Sequence, residues 1–224
     1  MAVLQPLETK PESLTQMVYD AIREAIVSKE IPPGTPVSEA RLARDLQVSK
    51  TPVREALLRL QSVGLIEPDG SRGLRVVNPS HVRIAQAYEI RGVLEAGAAR
   101  LAADRASEHE KQAILHAAST SLSAAKAGDS AGFSHWDRTF HLAIATATKN
   151  ARLITLVENA LSLTRVLRQR DIPIKTDAAT CGLQHVDIAN AIIAGDALGA
   201  AEKAAQHAQS VQEMVLVLAD FGDS

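Results

Sequence analysis

The sequence predicts a mainly α protein: a small N-terminal unit of three helices and a β-hairpin, then an all-α bundle of about six helices. Three observations predict it. Aromatic residues make up only 3% of the 224 residues while 46% are hydrophobic. The cores must therefore be built largely from Ala, Leu, Ile and Val, a composition that favours helices over aromatic-rich sheets. Eight of the nine prolines fall at or before Pro79 and only Pro173 follows, so the helix breakers are confined to the first third. Beyond Pro79 the chain reads as long helical stretches with few interruptions.

Composition also excludes several classes. With 22% charged residues and a net charge of −2, the chain has the balance of a globular protein, neither disordered nor fibrous. Any nucleic-acid role must come from a local patch. The one cysteine, Cys181, allows no intramolecular disulfide and fits a reducing compartment. No uncharged apolar run approaches the roughly 20 residues that span a bilayer, and Met1 to Lys10 lacks the apolar core of a secretory signal. The expectation is a cytoplasmic protein with no membrane contact.

In the first unit, residues 1–78, Ser13 can cap a helix that runs to about Lys29, with Met17, Val18, Ala21, Ile22 and Ala25 in helical register. Pro32-Pro33-Gly34 ends it. Ser38 and Glu39 open a short helix through Leu42 and Leu46. Gln47-Val48 forms a tight link to a third helix, capped by Ser49 and reaching Val63, with Pro52 in its first turn. Gly64 stops that helix. Leu65-Ile66-Glu67 and Leu74-Arg75-Val76-Val77 then read as strands around the turn at residues 69–73. Three short helices and a hairpin in this order make a winged helix-turn-helix.

In the second unit, residues 79–224, six helices are predicted at roughly 81–105, 108–127, 130–148, 150–170, 177–194 and 197–219. Two breaks share one signature, Ala127-Gly128-Asp129 and Ala194-Gly195-Asp196. In each, Gly can adopt the left-handed conformation that closes one helix and Asp can cap the next.

Charge is uneven in the first unit. Residues 41 to 75 hold Arg41, Arg44, Lys50, Arg54, Arg59, Arg72 and Arg75 against Asp45, Glu55, Glu67 and Asp69, a net +3. On the third helix Val53, Ala56, Leu57, Leu60 and Val63 share a face, flanked by Lys50 and Arg54 on one side and Arg59 on the other. An apolar back and a polar N-terminal half suit a helix that docks on its own domain and enters the major groove. Arg72-Gly73 at the hairpin tip suits a wing that approaches the backbone closely. The run from Gly34 through Ser38-Glu39, Leu42-Ala43, Val48-Ser49-Lys50-Thr51-Pro52-Val53-Arg54-Glu55-Ala56-Leu57 to Gly64-Leu65-Ile66 and Gly73 resembles the DNA-binding domain of the GntR family of bacterial transcription regulators. The resemblance implies contacts to double-stranded operator DNA from Ser49, Lys50, Thr51, Arg54 and the wing at Gly73. Lys50 stands where family members often carry Arg, a point charge in place of a fork. Ala40 also replaces a frequent Arg.

Of seven histidines, three stand out. Asp137 and His141, four residues apart, project from one helical face beside Phe133, Trp136, Phe140 and Ile144. His185 shares a face with Cys181, Ile188 and Ile192, and His207 lies beside Ala204, Ala208, Val211 and Val215. An Asp and three His leaning inward from three helices are costly to bury without a bound cation. Their chemistry suits zinc first, with nickel or manganese as alternatives. Arg91-x3-Glu95, Asp137-x2-Phe140-His141, Asn150-x2-Leu153 and the stretch from His185 to His207 resemble the C-terminal domain of the FadR-type branch of the GntR family. That resemblance implies a divalent metal held by Asp137, His141, His185 and His207, and a small carboxylate effector beside it. It makes Arg91 a candidate carboxylate partner; the same residue could instead form an i, i+4 ion pair with Glu95. Gln184 replaces a Glu often found just before the third ligand, and Arg165 and Arg168 are further candidates to line the pocket. Cys181 reads as a small core residue.

Together these features predict a homodimeric regulator that binds operator DNA and senses a carboxylate. The alternative is a metal-dependent hydrolase using the Asp/His group with an activated water. It has no nucleophile motif and leaves residues 13–77 without a role.

Overall fold

A computed structural model of the chain describes residues 14–70, 73–168 and 177–218. The chain divides into two compact units, Met1–Asn78 and Pro79–Ser224.

In the first unit the described elements are α1 (Leu14–Val27), β1 (Pro36–Val37), α2 (Glu39–Asp45), α3 (Lys50–Ser62), β2 (Ile66–Pro68) and β3 (Leu74–Val76). Helix α1 packs on α3, burying Val18, Ile22 and Ile26 with Val53, Leu57 and Leu60. Each such side chain contributes about 1.5–3 kcal/mol by leaving water. The α2–α3 link is tight because Gln47 takes φ 54°, and α3 ends at Gly64 with φ 79°. The wing holds more than the expected hairpin: β1 adds to β3 on the side opposite β2, both pairs antiparallel. Two residues give no alternation to read, and Pro36 is tolerated because it lies on an edge.

Ser49 does occupy the N-cap of α3, but its side chain makes no cap hydrogen bond. Three positions on stands Pro52, which has no N–H to offer. The hydroxyl expected to close the helix start is therefore left facing outward.

The second unit is α4 (His81–Arg105), α5 (Glu108–Ala127), α6 (Ser130–Ala147), α7 (Ala151–Leu167), α8 (Asp177–Ile193) and α9 (Ala197–Leu218). Helix α4 is the hub, packing against α6, α7, α8 and α9, while α5 packs on α6 and α8. The interior is alanine-rich, with Phe140, Ile114, Ile188 and Ile192 among the larger side chains. Both Gly-Asp breaks behave as expected. Gly128 and Gly195 take φ 75° and 70°, and Asp129 and Asp196 each accept a hydrogen bond at 2.9 Å from the amide three residues on, Gly132 and Gly199. Helix α7 ends at Leu167, short of the expected 170; residues 169 and 170 lie outside the described residues.

Candidate functional site

Two groups of predicted residues are placed by the fold. In the first unit, Arg41, Arg44, Ser49, Lys50, Thr51, Arg54 and Gly73 are all exposed, and α3 buries Pro52, Val53, Ala56, Leu57 and Leu60 on its other side. Arg72 lies outside the described residues. The patch is less bare than its charge count implied. Arg54 donates to both carboxylate oxygens of Glu39 at 3.1 Å, Arg41 lies 3.6 Å from Asp45, and Arg75 is held by Glu67 and Asp69 at 2.8 and 3.3 Å. Arg59, though exposed, stacks on the Tyr19 ring, 4.2 Å from its centroid, and so braces α3 against α1.

In the second unit, the three singled-out histidines are buried, His141 at 4%, His185 at 0% and His207 at 1% exposure. His81, His109, His116 and His135 are exposed. The ligand nitrogens of the buried three lie within 4.8 Å of one another. His185 Nε2 is 3.3 Å from His207 Nε2 and 3.6 Å from Asp137 Oδ1, and His141 Nε2 is 3.7 Å from that oxygen. Ligand atoms about 2.1 Å from a tetrahedral ion stand roughly 3.4 Å apart, close to these separations.

The tautomers follow from the other ring nitrogens. Ser121 donates its hydroxyl to the Ala118 carbonyl at 2.8 Å, so at 3.0 Å from His185 Nδ1 it must accept. The Gln184 amide oxygen accepts from His207 Nδ1 at 2.8 Å. Glu95 Oε1 lies 3.1 Å from His141 Nδ1. All three imidazoles therefore carry the proton on Nδ1 and turn the Nε2 lone pair inward, an arrangement that outer partners impose on metal-binding histidines. Burial, with the nearby Arg91 guanidinium, pushes His185 down to about 3 despite Asp137. Burial also lowers His207 well below its usual value, aided by the Arg91 guanidinium. Both are neutral at neutral pH, as ligands must be. Burial works against the Asp137 carboxylate, but the polar groups around it, the Arg91 guanidinium among them, hold it well below its ordinary range. Two bare Nε2 lone pairs 3.3 Å apart beside an ionised carboxylate form a site chemically suited to a divalent cation.

Arg91 makes the i, i+4 ion pair that its position allowed. It is 1% exposed and its Nε donates to Glu95 Oε1 at 2.8 Å. Its Nη2 lies 2.9 Å from His141 Nε2, donating to the lone pair a metal would take. Burial opposes its charge, but Glu95, Tyr88 and Asp137 keep the guanidinium protonated. Arg91 and Asp137 also line a cavity together with Ser134, Arg138, Arg165 and Arg168. Ser121 was given no role by the sequence, and Glu95 only that of an ion-pair partner for Arg91, because their importance to the histidines depends on which one the packing sets beside them. Cys181 is buried.

Comparison with known proteins gives the context for both sites. Residues 14–76 match the model of bacterial regulatory proteins of the gntR family, and residues 86–210 match the FCD domain. A relative in Paenarthrobacter nicotinovorans, named a probable D-xylose utilization operon transcriptional repressor, is 33% identical over 188 residues, 82% of this chain and 80% of that protein. The chain belongs to the GntR family. This regulator is also 27% identical to the HTH-type transcriptional repressor RspR of Escherichia coli, over 91% of its own length and 90% of the relative's. Its fold is similar to that of E. coli McbR/YncC, with a TM-score of 0.75 at 22% identity over 93% of this chain and 99% of that one. It is a DNA-binding transcriptional regulator of the GntR/FCD type. The hydrolase alternative is displaced, since both matched families and the relatives are regulators. No helix among the described residues is long and apolar enough to cross a membrane.

Proposed function

We propose that this regulator works in the cytoplasm as a homodimer on double-stranded operator DNA, and that a small carboxylate effector bound beside a divalent metal alters its operator affinity. The observation that carries the metal reading is the grouping of the His141, His185 and His207 ring nitrogens within 4.8 Å of one another, with Asp137 Oδ1 3.7 and 3.6 Å from the first two, each imidazole being fixed from behind by Glu95, Ser121 or Gln184. Zinc is the first candidate, then nickel or manganese, since the donor set is imidazole and carboxylate. The bound ion would supply a Lewis-acidic centre with positions open to carboxylate oxygens. Asp137, His141, His185 and His207 hold it; Arg91 must release His141 Nε2 and turn toward the cavity, where its guanidinium can receive the effector's carboxylate.

The DNA reading places Ser49, Lys50, Thr51 and Arg54 in the major groove, with Arg41 and Arg44 toward the phosphates and the wing at Arg72 and Gly73 along the backbone. A single domain of this size buries too little surface for tight specific binding, so two copies on a pseudo-palindromic site are expected. Val82, Ile90 and Val93 are exposed apolar residues on one face of α4. Elemental analysis of protein purified without added metal tests the centre: about one divalent ion per chain in the native protein, and loss of it in the His185→Ala, His207→Ala double variant. Full metal retention in that variant removes the proposed site. Light scattering that finds a monomer fully able to bind its operator removes the dimer.

A further inference from the structure

Four arginines line the cavity beside the metal-ligand group, and they are not equivalent. Arg91 is neutralised by Glu95 at 2.8 Å and Arg138 by Glu158 at 3.0 Å. Arg165 and Arg168 have only neutral oxygens as hydrogen-bond partners among the described residues: Arg165 Nη1 donates to Ser134 Oγ at 2.5 Å, and Arg168 Nε donates to the Tyr88 hydroxyl at 2.7 Å. Both are half-buried. Among the described residues the one acid in the lining, Asp137, is already committed to the histidine group. Each guanidinium has five N–H donors, so most donors of Arg165 and Arg168 are still available to a ligand. Charges drawn away from water without a counter-charge destabilise a site. One carboxylate at the metal-ligand group and Arg91 would leave this second pair unanswered. The cavity volume is about 50 Å³, room for roughly four waters, a scale that suits a small ligand.

We infer that the effector is a short dianion, a dicarboxylic acid with one carboxylate at the metal and Arg91 and the other between Arg165 and Arg168. The inference rests on the reading that a carboxylate binds at the metal. Ser134 and Tyr88 hold the two guanidinia in place, so the second carboxylate meets forks that are already oriented. Helices α4, α6 and α7 are thereby bridged by one small ligand.

Calorimetric titration of the full-length zinc-loaded protein with matched pairs, lactate against malate and butyrate against succinate, tests this. The diacid of each pair should bind about tenfold or more tightly, as expected for an added charge-assisted pair. Arg165→Gln combined with Arg168→Gln should bring the ratio close to one with metal content unchanged by elemental analysis. If that double variant melts early, the single variants should each lower the ratio part-way. Equal affinity for both members of each pair, or a ratio unchanged in the variants, overturns the dianion and leaves the carboxylate-at-metal reading standing. Absence of binding by all four acids overturns that reading as well.

Discussion

Arg54 and Arg59 are five residues apart on α3, both exposed, yet they face different tasks. Arg54 is oriented by Glu39 through two hydrogen bonds, whereas Arg59 lies over the Tyr19 ring. Arg54→Ala should therefore weaken operator binding by about 1–3 kcal/mol, the range of a good base contact. Arg59→Ala should leave operator affinity nearly unchanged and lower stability by about 0.5–1 kcal/mol, the worth of an exposed cation–π pair. Operator titration at fixed salt and urea denaturation of both variants check the contrast, and equal losses of affinity would contradict it. What could be read at this scale was direction. The i, i+4 spacing of Asp137 and His141 and the apolar neighbours of His185 and His207 were enough to select the three buried histidines and pass over the four exposed ones. Partners could not be read. Arg91 meets His141 across 50 positions of sequence and Ser121 meets His185 across 64, and no periodicity encodes which helix packs beside which.

The helices were legible because their ends are punctuated. Ser107 and Glu110 close the start of α5 as a reciprocal capping box, and the two Gly-Asp breaks set the starts of α6 and α9. Glu110 does more than cap. It pairs with Lys149 at the end of α6, and that contact, with the Ser107 amide and hydroxyl, pulls its carboxyl from the usual 4.5 down to about 2. A carboxyl depressed in the folded state adds stability above its unfolded pKa and loses it as pH falls through the folded value. The contribution should thus disappear between about 4.5 and about 2. Denaturation of the native protein and Glu110→Gln across that range should show the gap between them closing toward acid; a constant gap would show that the charge plays no part. A packing constraint at the same scale was hidden from sequence. A Cβ on Gly182 of α8 would sit 2.7 Å from Leu122 Cα of α5, a backbone approach that nothing in the chain announces. Gly182→Ala should be destabilising by about 1–3 kcal/mol, as overpacking usually is, even though Ala is the better helix former by roughly 1 kcal/mol. Thermal melting that shows a gain would mean the two helices separate freely. Strand β1 went unread for a different reason: two residues cannot display alternation, and only pairing with β3 defines them.

At the scale of the molecule, two units with separate cores allow one function to be removed while the other survives. The proposed metal ligands come from α6, α8 and α9, and their supports from α4, α5 and α8, so one ion would tie together most of the second unit. A ligand present at 100 times its Kd stabilises the state it binds by about 2.7 kcal/mol; chelation should therefore lower the melting temperature of the second unit and leave the first able to fold. If a carboxylate at that centre shifts the regulator between two states of different operator affinity, its coupling should be about 1–3 kcal/mol, or roughly 5–150-fold, and it must act in both directions. Operator DNA should change the affinity for the acid by the same factor as the acid changes the affinity for operator. The decisive measurement is a four-way set of titrations on metal-loaded and chelator-stripped protein: acid alone, operator alone, and each in the presence of the other. In stripped protein the operator should still bind while the response to acid disappears, because Arg91 then donates to His141 Nε2 as in this structure and no open coordination position remains for the carboxylate. A response of equal size in stripped protein would reduce the metal to a structural brace and place the effector on the arginines alone.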